Sequence, residues 1–293
     1  MTLGAQGDWS FVLPFRGTKL AGLTIVAVAI AVSTVLFQTL TCNRILTPAI
    51  MGFDQLYVAL QTTLVLFVGS RDLAGLDPRL RFLVEAGLMV GLSLLLFRWL
   101  FSGERRSLHM LVLAGIVFGV LFRSLSSIMQ RILDPNEFSV LQDLLFATFN
   151  TVDGNLVALS AVIVAPLAIV AWRLSPQLDV LALGRDTAIG LGVDHARLAS
   201  LILVMVAILV SVSTALVGPA TFFGLLVANL AYVLVGDRHR ASLPAAALIA
   251  IVALVGGQAI LERLFGLDAA LGMIVEFVGG LVFIALLLRG MAR

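Results

Sequence analysis

Runs of about twenty apolar residues follow one another along almost the whole chain, separated by short polar stretches. That pattern fixes the solvent before it fixes the fold. About twenty helical residues cross the hydrocarbon of a bilayer, and in lipid every backbone N–H and C=O must be satisfied within its own element. Spans are therefore predicted near 20–38, 53–69, 82–100, 108–127, 154–173, 199–217, 222–236, 243–264 and 271–289. The second and seventh are short, and the seventh begins just after Gly218-Pro219. Hydrophobic residues make up 60% of the 293 and charged residues only 12%, where a soluble domain needs roughly twice that share of charge. The predicted fold class is all-α: a polytopic transmembrane helical bundle of about nine spans, a single transmembrane domain over 1–293.

Segment 136–151 is too polar to span and is predicted to lie at the outer interface as an amphipathic helix. The positive-inside rule places the C-terminus in the cytoplasm, with Arg44, Arg98, Arg105, Arg106, Arg173, Arg185, Arg197, Arg238, Arg240, Arg289 and Arg293 on that side. That orientation puts 179–198 in the cytoplasm and the N-terminus outside. The expectation follows that the N-terminal tail is translocated unaided or that a further helix precedes Met1. Gly87/Gly91 and Gly115/Gly119 form G-x-x-x-G pairs, which predict close helix packing. A net charge of +2 is too small to imply nucleic acid. The single cysteine, Cys42, excludes an internal disulfide.

Within this pattern the stretch 179–198, DVLALGRDTAIGLGVDHARL, stands apart. A loop that only reverses direction between two spans needs far fewer residues. Gly184 and Gly192 are placed as the residues just past helix ends, where φ > 0 is usual, and Asp186 and Asp194 follow as candidate N-caps. Ala188, Ile189 and Leu191 are predicted to leave an apolar ridge, with Arg185 and Asp186 facing water. A short ridged helix outside the bilayer points to a docking surface for another protein; a helix lying on the membrane surface is the alternative.

No G-x-x-x-x-G-K-[ST] is present, so this chain has no P-loop, and no G-x-S-x-G or H-E-x-x-H occurs. His109, His195 and His239 are not at metal-ligand spacing and read as solvated or interfacial, and no metal site is predicted. Glu85 and Arg123 are expected to snorkel from helix ends, and Glu276 to snorkel or bond a neighbouring helix.

LALGRDTAIGLGV followed by VSVSTALVGPATFFGLLVANLAYVLVG resembles the permease subunit of type II ABC importers for iron–siderophores, haem and vitamin B12. The matching positions are Leu183, Gly184, Ala188, Leu191 and Gly192, then Gly218, Pro219, Phe222, Gly224 and Leu225. DRHRASLP, Asp237–Pro244, also matches, and the resemblance covers nearly the whole chain. NRILTPAIMGFDQLYVALQT, from Asn43, resembles the branch that imports ferric catecholate siderophores. Two departures stand out: the family usually has ten spans, and Ala228-Asn229 occupies the place of a common Pro-His pair.

The resemblance implies a permease that is not itself an enzyme and binds no cofactor, with ATP used by a partner subunit. Its implied partners are a second, related permease chain, two ATPase subunits, membrane lipid and a periplasmic or lipid-anchored binding protein, in the bacterial cytoplasmic membrane. It assigns ATPase coupling to Leu183, Gly184, Arg185, Ala188, Leu191 and Gly192. Gly218, Pro219, Thr221, Phe222 and Gly224 would shape the outer pathway, Phe222 and Phe223 forming an apolar rim. Arg16, Lys19 and Arg263 would meet the binding protein. A catecholate is the expected cargo, with haem or cobalamin as alternatives. The rival class is an ion- or proton-coupled secondary carrier, which tends to show inverted repeats and buried ionisable groups at mid-membrane.

Overall fold

A computed structural model describes residues 9–101, 108–145 and 153–262, together with 272, 277, 279–281 and 284. The described residues are helical throughout, joined by short turns. Helix α1 (Trp9–Thr41) is the longest. A tight turn, Ala49–Phe53, leads into α2 (Asp54–Val68), followed by α3 (Ser70–Gly75), α4 (Pro78–Phe101), α5 (Leu108–Gln130) and α6 (Pro135–Leu145). Next come α7 (Gly154–Arg173), the short α8 (Ser175–Leu181) and α9 (Arg185–Gly190), then α10 (His195–Val217), α11 (Phe223–Val235) and α12 (His239–Ile260).

Among the described residues, six stretches are long and apolar enough to cross a membrane: Pro14–Thr41, Ala49–Val68, Leu113–Gln130, Gly154–Arg173, His195–Val217 and His239–Ile260. Helix α11 has only 13 residues, about 20 Å of rise, so by itself it reaches partway through the hydrocarbon. The predicted span 271–289 lies largely outside the described residues.

Helix α1 is the hub, packed along α10, α12, α7 and α11. Its inner face, Val26, Ala27, Ala31, Val35 and Leu36, is closed to solvent and lies against the equally buried Ile202, Val206 and Leu209 of α10. Small and branched apolar side chains make up this contact, and dispersion between them replaces the hydrophobic drive that lipid does not supply. A second group forms around α2, which packs on α5.

The G-x-x-x-G of α5 meets a glycine rather than a helix. Gly52, at φ +96°, lies on Gly115 and Gly119 so closely that a Cβ there would fall 2.9 Å from the Gly119 Cα. Gly87 and Gly91, by contrast, are exposed and have open space where a Cβ would point, so they pack no helix among the described residues.

Glu85 does not snorkel. It is buried and pairs with Arg81, whose Nε lies 2.7 Å away one turn earlier on α4. Arg123 is exposed. Within segment 136–151, the residues described run to Leu145 as part of α6, whose buried Leu141 packs with Val65 and Leu73. The Glu137 carboxylate accepts the Ser70 N–H at 2.8 Å and so caps α3.

Candidate functional site

Two glycine-marked segments hold most of the residues expected to matter, and the structure separates them. In the first, α9 is a single short helix set between two turns. Gly184 precedes it at φ +98° and Gly192 follows it at φ +83°. The end of α9 is a Schellman motif: the Gly192 N–H donates to the Ile189 carbonyl and the Val193 N–H to the Ala188 carbonyl, each at 3.0 Å. A residue with a Cβ would be strained at Gly192, although the space around it is open.

Asp194 caps α10 by accepting the Arg197 N–H at 3.2 Å, as expected. Asp186 does not cap α9; Gly184 occupies the N-cap and Asp186 falls in the first turn. Ala188 is not part of an exposed ridge either. It is fully buried, because the two turns roll that face of α9 onto the bundle. The exposed apolar surface is Leu183 (61%), Ile189 (51%) and Leu191 (60%), with Arg185 and Asp186 exposed beside them.

In the second segment, α10 ends at Gly218, φ +97°, and the chain runs through Pro219, Ala220 and Thr221 before α11 begins. Facing this break is the turn that starts α2, so two interrupted helices meet. The Thr221 hydroxyl donates to the Asp54 carboxylate at 2.6 Å across the gap. Asp54 is buried. Around the pair lies a small cavity whose lining includes Ser33, Thr34, Thr47, Ser213 and Thr214. Irregular backbone at membrane depth persists only where protein or a wet cavity satisfies it, and these hydroxyls are suited to that task. Gly224 sits where α11 crosses α1, and a Cβ there would fall 2.1 Å from the Thr34 hydroxyl. Phe223 is buried in the core, so it forms no rim beside the half-buried Phe222.

At the far end of α1, the Lys19 ammonium pairs with Glu262, just past α12, and is only 16% exposed. Gln258 Nε2 also donates to Glu262 at 2.7 Å. Burial alone would raise the pKa of Glu262; the hydrogen bonds from Lys19 and Gln258 and the charges of Lys19 and Arg16 outweigh it and hold the group below the usual value. Arg16 is half-buried on the same end of α1, and Arg263 lies outside the described residues.

Three functional-looking contacts are absent from the sequence reading. Asp54 is one. Its only signal was a lone carboxylate inside an apolar stretch after Pro48 and Gly52. His239 is the second: it is buried, not solvated, between Asp179 and Thr39. The third is Arg44, in the turn after α1. Its guanidinium pairs with Asp237 at 2.7 Å and lies over the Tyr232 ring at 5.0 Å. Its carbonyl accepts from Gln38 Nε2 at 2.6 Å and from Asn229 Nδ2 at 3.1 Å.

Comparison with known proteins now places the chain. The FecCD transport family matches residues 2–289. The chain is 45% identical over 284 residues to the petrobactin import system permease protein YclO of Bacillus subtilis, covering 97% of this chain and 90% of that one. It is 30% identical over 288 residues to the ferric enterobactin transport system permease protein FepD of Escherichia coli, covering 97% and 84%. Among solved structures, a metal-chelate type ABC transporter in an inward-facing conformation shares the fold, with a TM-score of 0.84 at 24% identity over 95% of this chain and 89% of that one. With the family match running almost end to end and the helical architecture shared, this chain belongs to the FecCD transport family as a multi-pass membrane permease.

Proposed function

We propose that this chain is the permease subunit of an ATP-driven importer of ferric siderophores of the catecholate type, working in the bacterial cytoplasmic membrane. One observation carries the coupling half of this reading. The ridge Leu183, Ile189 and Leu191 is exposed on a rigidly capped turn–helix–turn between α8 and α10, outside the spanning stretches. Apolar residues raised in this way beside Arg185 and Asp186 fit the groove of a soluble partner. That partner is the ATPase subunit, which uses the ATP; two copies would serve this chain and a second, related permease. Gly184, Gly192 and buried Ala188 set the shape of the element, while Leu183, Ile189 and Leu191 make the contact.

The substrate half draws on relatives that carry petrobactin and enterobactin. The break Gly218–Gly224 faces Asp54 and forms part of the pathway, with Thr221 and Phe222 on its moving side. Arg16, at the end of α1 where Lys19 braces Glu262, would meet an acidic group on one lobe of a binding protein, and Arg263 an acidic group on the other. Such charge pairs set capture and register more than affinity.

The test is a strain lacking this gene, assayed for uptake of iron-55 delivered as ferric petrobactin and, separately, as a ferric hydroxamate. Loss of the first with retention of the second supports the reading, and unchanged petrobactin uptake refutes it. Ile189→Asp with Leu191→Asp should abolish co-purification of the ATPase while the permease still inserts. Normal co-purification in that variant would remove the coupling assignment.

A further inference from the structure

His239 opens α12 and is buried, yet neither the pathway nor the exposed ridge uses it. Its ring is held at both ends. Nδ1 lies 2.6 Å from the Asp179 carboxylate, and Nε2 lies 2.6 Å from the Thr39 hydroxyl. The same Asp179 oxygen accepts the His239 backbone N–H at 2.9 Å. One imidazole thus ties together α8 through Asp179, α1 through Thr39 and α12 through its own backbone. The attachment of α7 and α8 to α12 is doubled next door. Trp172 Nε1 donates to the Arg240 carbonyl at 3.3 Å, and the Arg240 guanidinium lies 5.6 Å over the indole.

Helix α8 is the piece of chain that leads directly into the exposed ridge, ending two residues before Leu183. A displacement of the ridge is useful to transport only if it is handed to the spanning helices without slack. A short, planar ring bonded at both nitrogens is a stiff link: the imidazole itself is 4% exposed, and although the Asp179 side chain is 41% exposed, its Oδ1 is held twice, by Nδ1 and by the His239 backbone N–H. We propose that His239 is the positioning residue through which movement of the α8–α9 element reaches α1 and α12, an inference that rests on the ATP-driven permease reading above.

The test uses the complete transporter, with its ATPase subunits and partner permease, in proteoliposomes supplied with binding protein and ferric petrobactin. His239→Ala should keep ATP hydrolysis within about twofold of the parent while uptake per ATP falls about tenfold or more, the scale of losing hydrogen bonds to a charged group. His239→Asn retains a donor near the Nδ1 position, and His239→Gln reaches the Nε2 position. Each restores one arm, so each should recover part of the coupling and neither all of it. Unchanged uptake per ATP in His239→Ala would overturn the proposal. So would hydrolysis, uptake and protein abundance falling together, which marks a role in folding alone.

Hydrogen exchange on the permease by itself supplies a readout that needs no substrate. The backbone amides of α8 should exchange faster in His239→Ala, and unchanged exchange there would also overturn the link. If the parent transporter shows ATP-driven uptake of no ferric siderophore, the substrate reading fails, and the α8 exchange still decides the joint.

Discussion

Glycine marks both segments that break the helical pattern, but for different physical reasons. Around Gly192 a Cβ would meet nothing, and the residue is there for its backbone angle alone. Around Gly52 and Gly224 a Cβ would collide, with the Gly119 backbone in one case and the Thr34 hydroxyl in the other. The exposed turn is rigid because of its own hydrogen bonds, and its surface is left open for something else to fit. The buried break is crowded at Gly52 and Gly224, where neighbours leave no room for a Cβ. The first presents side chains outward, and the second is packed against other helices of the chain.

Substitutions at these glycines should separate the two cases, and the largest effect belongs to Gly52. Gly52→Val adds a β-branched side chain at positive φ and drives it into backbone that cannot swing aside, a loss of about 3 kcal/mol or more. Thermal unfolding in detergent, with yield of monodisperse protein, measures it. A variant as stable as the parent would show that the α2 turn does not seat on α5 as described.

Gly224→Ala comes next, at about 1–3 kcal/mol, because its obstacle is a side chain rather than backbone. Thr34→Ala in the same molecule should return much of that loss. Additive losses in the double variant would place the crowding elsewhere. Gly192→Val should cost only about 1–2 kcal/mol of local strain. The protein should remain folded and inserted while transport drops, because the Schellman turn no longer presents Leu191 correctly. Equal stability and equal uptake in that variant would detach the turn from coupling.

The smallest expected effect is at Glu262. Its pKa is held below the ordinary value, so its contribution is present above the unfolded-state pKa, near 4.3 for Glu, and is lost as pH falls through the lower folded value. The pair with Lys19 is partly exposed, so the contribution is under about 1 kcal/mol. Melting temperatures of the parent and Glu262→Gln should differ slightly at neutral pH and converge in acid. A difference that grows on acidification would contradict the sign.

What the sequence made legible was local. Gly192 and Asp194 were placed correctly because a Schellman turn and an N-cap are each made by residues a few positions apart. The spans near 20–38, 53–69, 108–127, 154–173, 199–217 and 243–264 were legible because lipid imposes one requirement on each of them independently. Ala188 was misplaced because a one-turn helix has too few residues for its periodicity to tell an inner face from an outer one. Glu85 was misplaced because the snorkelling argument weighs depth and not the option of turning inward toward Arg81. His239, Asp54 and Arg44 were out of reach for a different reason. Their partners stand 60 to 200 positions away for His239, 167 for Asp54 and 185 for the Arg44 carbonyl with Asn229. No pattern along one chain specifies such pairings.

Arg44 has a consequence for anyone recombining permeases of this family. Its carbonyl accepts from both Gln38 and Asn229, and its side chain is held by Tyr232 and Asp237. The turn after α1 and the stretch 229–237 therefore form one exchangeable cassette, although nearly two hundred residues separate them along the chain. A chimera that imports the turn alone would bring the Arg44 cation without Asp237 and Tyr232 and lose the Asn229 donor to its carbonyl, whereas one that moves both pieces together keeps the interface intact.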